Sequence, residues 1–338
     1  MRETSETTIL LIGGTGQNGA TLLSRLLAGV PGFVPIGELG FLWDRAIQGN
    51  LPCGCGVPFH ECPFWGAVGQ AAFGGWEKVD AAEAVRLRGR VLSRRRHRHM
   101  SLPLTLPLMA WPALSGPYRE SLMRYAELVR RVYEGVRAVS GARVIVDSTK
   151  VPGHGFTLWN AGEVDLRVTH LVRDSRGVAF SNLRSVPRQS TIDGRAYRGR
   201  HAPARTAARW IWINLAYELL AALGAPVETV RYEDLVRDPR GELARIAAFA
   251  GAPTDPSTLQ FLRDGEVEFP VAHLVAGNRV RLVSGRTRIR ADEEWRVSLP
   301  PRQQRVVLAM TWPLTLRYRR RAARGRASGG GTHRAAAS

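Results

Sequence analysis

Lysine is almost missing from this sequence: the chain has 48 Lys plus Arg residues, and the lysines are Lys78 and Lys150 alone. Cysteine is nearly as scarce. The three cysteines, Cys53, Cys55 and Cys62, sit too close together to form the disulfide framework of a small secreted domain, so a reducing cytoplasm is the expected compartment. Long apolar runs are lacking too. The nearest candidate, residues 102–114, is interrupted by Pro103, Pro107 and Pro112, whereas a membrane-spanning helix needs about 20 apolar residues. The polar opening, residues 1–8, leads straight into an apolar run, so no cleaved leader is expected. No internal repeat is visible. What is present is ordinary for a globular chain: 338 residues, 44% hydrophobic and 23% charged, which excludes wholesale disorder, collagen and coiled coil. The formal net charge of +19 is not ordinary, and it points to an anionic partner: nucleic acid, a membrane face or a polyanionic small ligand.

Short β-rich apolar runs occur at 8–12, 33–36, 143–146, 166–172 and 226–230, each suited to a strand buried on both faces. Helical periodicity lies between several of them, most clearly at 118–139, 204–223 and 240–251. That alternation predicts an α/β protein, a three-layer parallel sheet flanked by helices. Residues 52–117 lack clean strands and read as a helical insertion covering one side of the sheet. Residues 185–203 read as a polar, arginine-rich loop. We expect one domain over 1–316, followed by a basic disordered tail at 317–338. The run from Arg94 to His99 and the tail are basic enough for non-specific contact with an anionic surface.

Between the first strand and the first helix stands Gly14-Thr15-Gly16-Gln17-Asn18-Gly19-Ala20-Thr21. Its spacing is that of a phosphate-binding loop, in which glycines let amides point inward and a helix N-terminus adds positive potential. Ala20 occupies the place where a nucleoside triphosphatase has its lysine, and a methyl group cannot cover β- and γ-phosphates. Glu38, the Ser148-Thr149-Lys150 triplet and Arg173 each follow a predicted strand. Ligands of open α/β sheets bind beyond the carboxyl ends of strands, so these groups are candidates to share one crevice with the glycine loop. Their plainer alternatives are a surface carboxylate at Glu38, a solvated Lys150, and Arg173 paired to Asp174 or Asp147.

With these residues in view, the chain resembles the sulfotransferases that use 3′-phosphoadenosine 5′-phosphosulfate (PAPS), in their bacterial form. The resemblance covers nearly everything short of the tail. It rests on residues 12–23; on Gly32 through Leu39, which includes Gly37-Glu38 after the second strand; on Cys53-Gly54-Cys55-Gly56 with Cys62-Pro63-Phe64-Trp65; on Val146-Asp147-Ser148-Thr149-Lys150; on His170 through Arg173 and Asp174 to Ser181; on Arg231-Tyr232-Glu233-Asp234-Leu235; and on Gly277-Asn278-Arg279 running to Trp295. It implies a P-loop NTPase-like sulfotransferase fold, with PAPS as donor and a hydroxyl acceptor on a small molecule, lipid, glycan or peptide. No specific nucleic acid and no metal are implied.

Carried over residue by residue, the resemblance puts the 5′-phosphosulfate on Gly16, Gln17, Asn18, Gly19, Ala20 and Thr21, and the 3′-phosphate on Arg173 and Ser181. It adds Arg279 as a cofactor contact in the late basic segment. Related loops usually read Arg-Ser-Gly-Ser/Thr-Thr, whereas here Gln17, Asn18 and Ala20 replace the arginine, the first serine and the hydroxyl residue. Tyrosylprotein sulfotransferases share the Gly-Glu and use that glutamate as base, which makes Glu38 the expected general base and Lys150 the cation for the departing oxygen. Two other readings stay open: a nucleotide kinase-like enzyme, and a non-catalytic nucleotide- or anion-binding module. Cys53, Cys55, His60 and Cys62 have the elements for a metal, but their spacing is uncommon for one. The expectation is reduced thiols or a local disulfide under Trp65, with no metal assigned.

Overall fold

The computed structural model describes residues 7–92, 106–184, 202–263 and 265–329. Five strands, β1 (Thr8–Gly13), β2 (Phe33–Gly37), β3 (Val144–Asp147), β4 (Asp165–Val172) and β5 (Val227–Arg231), pair in the order β2-β3-β1-β4-β5. Every pairing is parallel. β1 is the centre, and its alternation decides the layers. Ile9 and Leu11 join one apolar cluster, while Leu10 and Ile12 join another on the opposite face, as a two-residue side-chain period requires. With both faces covered, the strand reads in sequence as an unbroken apolar run. Full burial of each such side chain stabilises the fold by roughly 1.5–3 kcal/mol, so the sheet is a fixed floor for whatever its strand ends carry.

One face is covered by helix α1 (Ala20–Leu27), together with a helix at Pro239–Phe249. The other is covered by α2 (Gly116–Ser140), α3 (Pro152–Ala161) and α4 (Pro203–Ala222). Residues 52–117 hold the helices Pro63–Phe73, Ala81–Leu92 and Leu106–Ala110, and these pack on α2 and α3, so the expected cover is an outer shell on helices and not on strands. From β1 the strand order departs in both directions, which puts a topological switch point at the carboxyl end of β1. A small antiparallel sheet, β6 (Leu262–Arg263), β7 (Glu266–Phe269) and β8 (Gly285–Arg288), stands beside α1 and shares its apolar cluster through Val267 and Phe269.

The stretch expected to be a disordered tail from residue 317 instead continues the last helix, α5 (Pro301–Gly329). Tyr318 is buried against Trp210, and Arg317 and Arg321 both pair with Glu218 of α4. Arginine and alanine are good helix formers, and the composition that suggested disorder also suits a helix with one anchored face. The 94–99 basic run, residues 185–201 of the polar loop and residues 330–338 of the tail lie outside the described residues. No helix among the described residues is long and apolar enough to cross a membrane.

Candidate active site

The loop between β1 and α1 is shaped by backbone that side chains would obstruct. Gly14 has φ 128, and a Cβ there would lie 2.4 Å from the Leu171 carbonyl oxygen of β4. Gly19 has φ 96, and its Cβ would meet the Tyr232 ring at 2.5 Å. Asn18 fastens the turn from inside: its Nδ2 donates to Leu171 O at 2.8 Å and its Oδ1 accepts from the Ala20 N–H at 3.1 Å. The Asn18 side chain is thus buried within the loop and engaged there, and the Ala20 amide is bonded to it. The loop lines the cavity from Gly16 through Thr21, Asn18 and Ala20 included, with the first-turn amides of α1 behind it. A Cβ on Gly16 would point into open space.

A cavity of about 620 Å³ opens there, at the carboxyl ends of the strands, a size suited to a ligand of nucleotide dimensions. Glu38, Lys150, Arg173 and Ser181 all line it with the loop, so the residues that the sequence placed at separate strand ends do share one crevice. Gly37 ends β2 beside an isolated parallel bridge to Val275, and the Glu38 N–H donates to Val275 O at 2.7 Å. The Lys150 ammonium bonds the Glu38 carboxylate and donates to Ser148 O at 3.2 Å. Both charges are largely shielded, with side-chain exposures of 11% for Glu38 and 18% for Lys150, so each is held in place without leaving the cavity.

Arg173, buried at the end of β4, is held on several sides. It donates to Gln17 O at 3.0 Å, pairs with the Asp292 carboxylate at 2.9 Å, and lies over the Tyr232 ring at 4.7 Å. Neither of its expected alternative partners holds it. Asp174 pairs with Arg176 and caps the helix Ser175–Leu183, while Glu233 accepts the Asp174 N–H at 2.8 Å. Asp147 is fully buried and accepts from Tyr133 Oη at 2.7 Å, from the Thr149 N–H at 2.7 Å and from His154 Nε2 at 3.0 Å. Burial alone would raise the Asp147 carboxyl; His154 and these hydrogen bonds outweigh it and hold the group below its ordinary value.

Sequence reasoning passed over Arg45, Arg281 and Asp292. Arg281 is 3% exposed, lines the cavity, and donates to Pro52 O at 3.2 Å and Gly277 O at 3.3 Å. Burial lowers its guanidinium from the usual range and the Glu38 charge opposes that shift. Its signal was its place in the 279–290 basic run, from which Arg279 was chosen; the Arg279 side chain lies outside the described residues. With Arg288 and Arg290, the described cavity wall carries the cations Arg45, Lys150, Arg173, Arg281, Arg288 and Arg290 against the carboxylates Glu38 and Asp292. Such a wall suits a polyanion.

The cysteine reading needs correction in its fourth member. His60 Nε2 bonds Ile47 O at 2.9 Å, whereas His273 Nδ1 lies 3.3 Å from Cys62 Sγ and 3.8 Å from Cys53 Sγ. Cys53, Cys55 and Cys62 are all free, so of the two expected states the thiols are present and the local disulfide is not.

A family model described as "Sulfotransferase family" matches residues 10–256, more than half of the chain. The chain belongs to the sulfotransferase family. Mouse (Mus musculus) "Carbohydrate sulfotransferase 2" is 30% identical over an alignment of 222 residues that covers 56% of this chain and 38% of that relative's length. Among solved structures, the sulfotransferase domain from the Synechococcus PCC 7002 olefin synthase is 20% identical, covering 93% of this chain and 97% of that one, with a TM-score of 0.46. The sulfotransferase domain from the curacin biosynthetic pathway is 17% identical, covering 93% and 99% of the two chains, with a TM-score of 0.47. In this family member the cationic crevice lies where the five-stranded parallel sheet meets the loop–helix junction, which makes it the candidate site.

Proposed function

We propose that this chain transfers a sulfuryl group from PAPS to a hydroxyl acceptor, with Glu38 as general base. One observation carries the reading: a carboxylate–lysine pair and a buried arginine–serine pair face the glycine loop across a single cationic cavity. The loop amides with Thr21 would hold the 5′-phosphosulfate, and the open side of Gly16 leaves room for it. Arg173 and Ser181 would hold the 3′-phosphate, a planar fork of donors matched to phosphate oxygens. That contact would distinguish PAPS from ATP. In the transfer, the bond between sulfur and the donor's bridging oxygen breaks as the acceptor oxygen bonds sulfur; the acceptor's proton passes to Glu38. Lys150 reaches Glu38 and is the cation for the departing oxygen.

Losing a donor to the transition state commonly costs about 10²–10³-fold in rate, and Gln17 stands where related loops have arginine. Lys150 and the α1 N-terminus supply positive potential at the same place, which supports an active site built on other cations. A kinase-like reading is disfavoured by Ala20, and by Asp147, whose oxygens are engaged by protein donors and are not free for Mg²⁺. The three free thiols fit a reducing compartment such as the cytoplasm.

Titration calorimetry with 3′-phosphoadenosine 5′-phosphate, ATP with Mg²⁺, and duplex DNA tests the donor. Selective binding of the bisphosphate is expected; binding of ATP alone, or salt-steep binding of DNA alone, removes the reading. Turnover is tested with radiolabelled PAPS and a panel of carbohydrate, lipid, small-molecule and peptide hydroxyls. Carbohydrates come first, given the name of the mouse relative. Bisphosphate binding with no turnover on any acceptor would leave a non-catalytic nucleotide module.

A further inference from the structure

Behind the cavity wall, Cys53, Cys55, Cys62 and His273 bring one ligand atom each to a common point, all within 4.8 Å of one another. We infer that these four residues form a closed Cys₃His zinc site. The spacing itself is the argument. A tetrahedral zinc with Zn–S about 2.3 Å and Zn–N about 2.0–2.1 Å separates its sulfurs by about 3.8 Å and a sulfur from the nitrogen by about 3.5 Å. Here Cys55 Sγ and Cys62 Sγ are 3.7 Å apart, Cys53 Sγ and Cys62 Sγ 3.7 Å, and His273 Nδ1 stands 3.3 Å and 3.8 Å from two of the sulfurs. A disulfide needs sulfurs about 2.05 Å apart, and hydrophobic packing of thiols gives no reason for an imidazole nitrogen to point into their midst.

The surroundings hold that geometry from outside. The His273 ring is stacked on Phe64, with centroids 4.8 Å apart and planes 13° from parallel, which fixes its aim. The Trp65 indole N–H donates to His273 O at 3.0 Å, and the Gly54 N–H donates to Leu274 O at 3.0 Å. At Gly54 a Cβ would lie 2.4 Å from Ala272 O, so the cysteine loop and the 272–274 segment meet backbone to backbone. Soft thiolates with one imidazole select zinc over hard cations, and four protein ligands leave no open position for chemistry.

The site is a tether. Cys62 and His273 are 211 residues apart in sequence. Two residues beyond His273, Val275 donates to Ile36 O at 2.8 Å and accepts the Glu38 N–H, so a metal here pins the segment on which the proposed base is hung.

The full chain, purified without chelator or metal-affinity resin, is expected to carry about one zinc by plasma mass spectrometry, released by a thiol-binding mercurial. Cobalt exchange should give thiolate charge-transfer bands and the visible bands of a tetrahedral ion. His273→Cys should keep the metal; His273→Ala and Cys62→Ser should lose it. Wild-type protein that contains no zinc, with three thiols titrating freely or two of them oxidised together, overturns the inference, as does full occupancy by another metal. The cobalt spectrum needs no substitution, so an octahedral or absent spectrum decides against the site even if the variants do not fold.

Discussion

Glu38 with Lys150, and Asp147 with His154, are two acid–base pairs on neighbouring strand ends, yet their surroundings are opposite. The first lines the cavity with side-chain exposures of 11% and 18%; the second has 0% on both partners. Asp147 bonds a phenol, a backbone amide and an imidazole, so its bonding capacity is met by the fold. Glu38 is bonded to Lys150, feels the charge of Arg281, and has the cavity in front of it. A paired carboxylate is therefore structural or reactive according to what remains open to a substrate, and the presence of a partner does not decide which.

The contrast can be broken most directly at Glu38. Glu38→Gln keeps the shape and removes the base, so turnover with PAPS should fall by about 10²–10⁴-fold, with affinity for the bisphosphate product nearly unchanged by calorimetry. Unchanged turnover would remove Glu38 from the mechanism. Asp147→Ala should instead cost about 3–5 kcal/mol in urea unfolding, because it strands a buried partner, while the folded fraction keeps its turnover. A catalytic defect there without a stability loss would erase the distinction. Lys150→Met, on the cavity side, should lower kcat by about 10²–10³-fold with a small change in melting temperature.

Strand β4 repeats the contrast over a few residues and sharpens it. Arg173→Ala should weaken bisphosphate binding by about 1.5–3 kcal/mol, and weaken adenosine 5′-phosphate binding much less. His170, on the buried part of the same strand, donates from Nε2 to Asn214 Oδ1 at 2.7 Å and stacks on Tyr217. Burial pushes its imidazole down to about 4. Unfolding raises it to about 6.5, so the unfolded chain takes up a proton first as pH falls. The stability held at pH 7 is lost progressively from about 6.5 down to about 4. Between pH 7 and 5.5 the loss should be about 1 kcal/mol, and His170→Gln should flatten that part of the profile.

The strands and the crevice were legible because their determinants are local. A buried parallel strand is a short apolar run, and the residue after it stands at the sheet edge whatever the rest of the chain does. Glu38, Lys150 and Arg173 could thus be assembled from one sequence, whereas Ser181, inside the helix Ser175–Leu183, was reached only through the family resemblance. Partners far along the chain could not be assembled in this way. Asp292 beside Arg173 and His273 beside the cysteines depend on where the 262–292 segment returns, and its strands are two to four residues long with no strong period. The internal role of the Asn18 side chain was hidden for a related reason: its amide reaches Leu171 of a strand whose position the loop sequence does not contain. At 317–329 the arginine-rich composition concealed a helix whose anchoring partner, Glu218, lies on α4.

The rarity of lysine gives the cavity a chemical address. An amine-directed acylating or aldehyde reagent meets two side-chain targets in the whole chain, the exposed Lys78 and the Lys150 that bonds Glu38. Once Lys78 is changed to arginine, any remaining side-chain label sits at the mouth of the crevice. A fluorophore or affinity handle can then be installed beside the proposed base without engineering a cysteine into a chain whose own three are gathered around His273.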